Sequence, residues 1–131
     1  MNRMEELIDL VETHGNVMNF NMYQSMRDFD ETIKRLDKNG KFTENIIYCS
    51  PEFADHLSLI INMQHSPYDS MSYGHFKRNA QGGLGYLVDF AFQRGSYEFY
   101  VITKPITGAV MCPVDCPDVS FARNSIRINL E

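Results

Sequence analysis

The sequence predicts an α+β fold, with about three amphipathic helices in its first half and strands concentrated in its second. Apolar residues recur at helical spacing in three windows before residue 64. The run Ile46-Ile47-Tyr48-Cys49 leads at once into Ser50-Pro51-Glu52, a strand running into a helix start. Phe92 to Val101 is an aromatic-rich run split by Arg94-Gly95, which reads as two β-segments meeting at a turn.

At 131 residues, with 44% apolar and 22% charged residues, the chain reads as one domain of ordinary globular composition. It divides into a helix-rich part with one buried strand over 1–63, a long loop over 64–85 and a β-rich part over 86–131. No apolar run is long enough for a transmembrane span. Glu5 and Glu6 stand where a signal peptide would need its apolar segment, which points to a cytoplasmic origin and to reduced thiols for the three cysteines. The formal net charge is −5, and the first forty residues hold eight acids against five bases. Only Lys77-Arg78 forms a basic pair after that, so phosphate-backbone recognition is disfavoured.

Met4, Leu7, Ile8 and Val11 define the first helix, over roughly the first fourteen residues, with His14-Gly15-Asn16 as its stop. Asn16 to Tyr23 reads equally as a linker or a short strand. A second helix starts near Ser25 or Asp28, places Met26, Phe29, Ile33 and Leu36 on one stripe, and ends at Lys38-Asn39-Gly40. Asp28, Asp30 and Glu31 are accounted for by the positive end of that helix and by solvation. Ile46 to Cys49 is then a buried strand. Ser50 is placed to cap the next helix, Pro51 suits its first position, and Phe53, Leu57, Ile60 and Ile61 bury one face up to about Met63.

From Gln64 to Gly85 the periodicity is lost among Ser, Pro, Gly, Asn and Tyr, and a long loop is expected, of a length usually kept for function or a partner. Strands follow at about Tyr86–Phe92, Tyr97–Thr103 and Ile126–Leu130. Pro105 to Pro117, with its prolines and two cysteines, is expected to be mostly irregular.

Several groups could in principle carry chemistry, and each has a plainer explanation. Cys49 precedes a helix N-terminus, a position that favours a thiolate nucleophile. The following residues lack the Arg and glycine loop of a phosphatase, so a buried structural thiol is the expectation. Cys112 and Cys116 are spaced like half of a zinc site that His65 and His75 of the long loop could complete, but their spacing matches no usual zinc motif. Gly82-Gly83-Leu84-Gly85 precedes a β-rich run and not a helix, so it does not cradle phosphate. His14 and His56 read as surface or capping residues. The residues therefore point away from an enzyme, with no catalytic residue, cofactor or metal assigned.

Four segments, read in order, resemble the major capsid proteins of tailed bacteriophages, most closely those of crAss-like phages. They are Gly15-Asn16-Val17-Met18-Asn19-Phe20; Asp28-Phe29-Asp30 through Ile33, Leu36, Asp37 and Lys38 to Glu44-Asn45; Ser72-Tyr73-Gly74-His75-Phe76; and Phe92-Gln93-Arg94-Gly95-Ser96-Tyr97-Glu98-Phe99-Tyr100. The match spans about residues 10 to 105. The chain after Pro105 does not follow the family pattern, and the family's N-terminal arm and extended loop are not found in it.

The resemblance implies a mixed sheet flanked by helices, like the axial domain of the Hong Kong 97-type capsid fold, in a virion structural protein made in the host bacterial cytoplasm. The partners it implies are copies of the chain itself or other capsid proteins, with no small-molecule substrate, specific nucleic acid or membrane. Tyr73, His75, Phe76, Arg94, Tyr97 and Tyr100 are the expected interface residues, because Arg and Tyr tend to dominate interface energy. Two other classes stay open: a phage-encoded protein that binds and inhibits a host protein, and a small cytoplasmic enzyme that uses Cys49.

Overall fold

The fold is described from a computed structural model, for residues 3–20, 30–31, 33–35, 44–63, 70–73, 76–77, 86–113 and 125–130. Among these residues two helices, α1 (Arg3–His14) and α2 (Pro51–Met63), accompany nine strands. The strands are β1 (Asn16–Phe20), β2 (Glu44–Cys49), β3 (Ser70–Tyr73), β4 (Phe76–Lys77), β5 (Tyr86–Leu87), β6 (Phe90–Arg94), β7 (Tyr97–Thr103), β8 (Ala109–Pro113) and β9 (Ile126–Leu130). Seven of them form one mixed sheet in the order β1-β9-β8-β2-β7-β6-β3, and β4 and β5 form a separate antiparallel pair. The class is α+β. Residues 30, 31 and 33–35 are helical, in agreement with the second expected helix; its remaining residues lie outside those described.

Two contacts in the main sheet are parallel, β1 with β9 and β2 with β7, and the other four are antiparallel. The strand period of two then sorts the side chains onto two faces. Ile47 and Cys49 of β2, Phe99 and Val101 of β7, Phe90 and Phe92 of β6, Ala109 and Met111 of β8, and Ile126 and Ile128 of β9 share one face. Phe53, Ala54 and Leu57 of α2 close over it, joined by Ile33 from the second helical stretch. On the opposite face Val110, Cys112 and Tyr48 meet Met4, Leu7, Ile8 and Val11 of α1. Each side chain of this size contributes about 1.5–3 kcal/mol when fully buried, so the cluster under α2 is the larger stabilising layer.

Local chemistry fixes the starts and stops. The Phe53 amide donates to Ser50 Oγ at 3.0 Å and the Ala54 amide to the Ser50 carbonyl at 3.0 Å, the arrangement of a serine N-cap. α1 stops at His14, and after Gly15 the chain enters β1, with the Asn16 amide donating to the Ser125 carbonyl at 3.0 Å. The open choice over residues 16–23 thus resolves as a strand over Asn16–Phe20, recruited by pairing to β9. β6 and β7 are joined by the two-residue turn Gly95-Ser96, with Gly95 at φ 61°. Positive φ at the first central residue matches the right-handed twist of a hairpin.

Three expectations are corrected. The span 64–85 holds strands β3 and β4 and so is not wholly a loop; its other residues lie outside those described. β3 owes its extended form to antiparallel pairing with β6, a partner some twenty residues further on that local composition does not announce. The strand expected over Tyr86–Phe92 is two short strands in different sheets, β5 and β6, separated by Val88 and Asp89. Finally, Ala109–Pro113 is an interior strand between β2 and β9, where irregular chain is expected from the prolines. Pro113 stands at the last position of β8, where its missing N–H does little harm, and Pro105 lies in the exposed bend before it.

A buried cation ties α1 to the sheet. Arg127 of β9 donates from Nε to Glu12 Oε1 at 3.1 Å and from Nη1 to the Ala109 carbonyl at 3.1 Å. With its side chain only 8% exposed, the guanidinium needs both acceptors to offset its desolvation. Gly108 lies beside this group at φ 67°, and a Cβ there would overlap the Ile128 carbonyl oxygen.

The two positive-φ glycines should therefore respond unequally. Gly95→Ala meets open space and is expected to lose about 1–2 kcal/mol for the left-handed backbone alone. Gly108→Ala adds a backbone overlap and is expected to lose about 3 kcal/mol or more. Denaturant unfolding of both variants checks the difference.

Candidate functional site

Arg94 is the last residue of β6 and faces Tyr97 across the hairpin. Its guanidinium grips Asp30 in a fork: Nε lies 3.2 Å from both Oδ1 and Oδ2, and Nη2 lies 2.6 Å from Oδ2. The side chains are 14% and 25% exposed. A bidentate pair so shielded from water is stronger than an open surface ion pair. Asp30, expected only to favour a helix start, is thus the anchor that holds the hairpin to the helical stretch carrying Ile33. Most of the Arg94 side chain is engaged inside the chain, which leaves little of it for a partner.

Of the other expected interface residues, Tyr97 and Tyr100 lie on opposite faces of β7. Tyr97 is half-buried against the core under α2. Tyr100 is three residues further along β7 and so projects to the opposite face. There it is 6% exposed, and its hydroxyl donates to Glu98 Oε2 at 2.7 Å. Tyr73 pairs with Phe90 at the far end of β6 from Arg94, while Phe76 belongs to the separate β4–β5 pair. His75 lies outside the described residues, as do His65, Cys116 and Gly82 to Gly85. The feature of the hairpin that does reach solvent is its tip, Gly95-Ser96, braced by Gln93 Nε2 donating to the Gly95 carbonyl at 3.0 Å.

Beneath the hairpin the aromatic run forms a packed layer. Phe92 and Phe99 are register partners and stack with centroids 4.8 Å apart, and Phe90 lies 6.3 Å from Phe92 in a tilted arrangement. Offset aromatic pairs of this kind add about 0.5–1.5 kcal/mol to their burial. The run Phe92 to Tyr100 is accordingly a structural unit: two stacked rings on one face, an ion pair at the end, and a tight turn.

A second polar cluster closes the other end of β7. Asp89 Oδ2 accepts from the Thr103 amide at 2.7 Å and from Thr103 Oγ1 at 3.1 Å. The Lys104 amide donates to the Cys49 carbonyl at 2.8 Å, and the Ser50 amide to the Gly108 carbonyl at 3.0 Å. Cys49 itself is fully buried on the core face. Burial first, and the Asp89 carboxylate second, push its thiol up from near 9 to about 12. A nucleophile before a helix needs the opposite displacement. Cys112, placed by β8 and not by a turn, is 7% exposed, and burial raises it to about 11 against a lowering hydrogen bond from Ser125. Among the described residues no three His, Cys, Asp or Glu side chains are grouped to hold a metal ion. His14 is exposed at the end of α1 and His56 half-buried on α2.

Among the described residues no helix is long and apolar enough to cross a membrane. Comparison with family models, with characterised proteins and with solved structures gave no match.

Two expected outcomes follow from this geometry. In a double-mutant cycle of Arg94→Met and Asp30→Asn, thermal or denaturant unfolding should report a coupling of about 1–3 kcal/mol; additivity would mean that the fork is not formed in solution. The thiols should also make stability fall in alkali. Well below pH 9, near neutrality, both are protonated in folded and unfolded chains and contribute no slope. Between pH 9 and about 11 the unfolded chain loses protons that the folded chain keeps, so each thiol should remove about 1.4 kcal/mol per pH unit. Unfolding of the Cys49→Ala variant should show a shallower decline than the parent over that window.

Proposed function

We propose that this chain is a structural component of a tailed-bacteriophage particle, a capsid subunit or capsid-derived module that binds copies of itself or other capsid proteins. The observation that carries the reading is the order of the four capsid-like segments along residues 10 to 105. The architecture is compatible with it: a mixed sheet with helices on both faces is the arrangement the resemblance implies for an axial domain. The finer assignment, to the Hong Kong 97-type fold, is part of this proposal.

The physical work of such a protein is association, and the ends of the sheet are suited to it. Among the described residues β1 pairs with β9 alone and β3 with β6 alone. Neither Asn16–Phe20 nor Ser70–Tyr73 contains a charge or a proline, the usual devices that keep an edge strand from pairing with another chain. Val17 on β1 is 56% exposed. A heterologous contact between such edges, or between an edge and a loop, repeats by rotation and closes a ring. The shielding of Arg94 moves the expected contacts from that side chain to the edges and to the hairpin tip. The high position of the Cys49 thiol gives no support to the rival reading as a cysteine-dependent enzyme.

Light scattering of purified protein across concentration, with electron microscopy of any large species, tests the proposal. Capsomer-sized oligomers, sheets or shells are expected. Val17→Lys places a charge on an exposed edge position and should weaken association while leaving the circular dichroism spectrum unchanged. A protein that stays monomeric at every concentration overturns the reading.

A further inference from the structure

We draw no further inference here: the strongest candidate, the side-chain cluster of Ser50, Asp89, Thr103 and Lys104 at the carboxyl ends of β2 and β7, rests on the N-terminus of α2 with no second observation that points to a ligand, Ser50 and Asp89 being bonded to Phe53 and Thr103 within the chain.

Discussion

Strand β2 is hydrogen-bonded on both sides, parallel to β7 and antiparallel to β8, and its alternate residues enter cores on both faces of the sheet. A strand so enclosed has no surface on which to place charge, so its interior reads Asn-Ile-Ile-Tyr-Cys, with Asn45 donating to the Glu98 carbonyl at 3.4 Å. The parallel pairing with β7 imposes a further demand. A chain that leaves one strand must travel the length of the sheet before it can return in the same direction. α2 begins that return, capped by Ser50 at the point where β2 ends, and the β3 to β6 region completes it. The helix then covers the face on which Ile47, Cys49, Phe99 and Val101 lie. Register, helix start and core are thus set together, and the hairpin and both sheet ends are built outward from them.

Much of this was legible in the residues, for reasons that differ by element. α1, α2, β2, β7 and β9 carry local signals: a 3.6-residue apolar period with a stop, a Ser-Pro start, or a run of β-branched and aromatic residues. Their observed bounds follow those signals closely. β1, β3 and β8 lack them. Asn-Val-Met-Asn-Phe, Ser-Met-Ser-Tyr and Ala-Val-Met-Cys-Pro are weak strand formers, and each becomes a strand because a distant neighbour supplies its hydrogen-bond partners. Prolines near β8 favour irregular chain, yet Pro105 precedes the strand and Pro113 is its last residue, so neither interrupts it.

The candidate interface was less legible. Arg94 stands next to aromatic residues in the sequence, while the carboxylate it grips, Asp30, is 64 residues away and belongs to another element. No local pattern announces such a pair. Glu12 and Arg127, separated by 115 residues, are likewise joined without a local pattern. The opposite faces of Tyr97 and Tyr100, by contrast, were already contained in their spacing of three on a strand. The thiols fall between these cases. The position of Cys49 before a helix start was plain from the sequence, and its displacement toward the protonated form required knowing how fully the core encloses it.

The pairing of β1 with β9 sets a timetable for synthesis. Asn19 and Asn129 face one another across 110 residues of chain, and among the described residues β9 is the sole strand that β1 bonds. At ribosomal rates of about 5–20 residues per second, the earliest strand waits on the order of five to twenty seconds before its neighbour emerges. During that interval the β1 segment, with Val17, Met18 and Phe20 in its sequence, lacks its β9 partner. Chaperone occupancy of the early chain, and the spacing of ribosomes along the message, therefore bear on how much of this protein reaches its folded form.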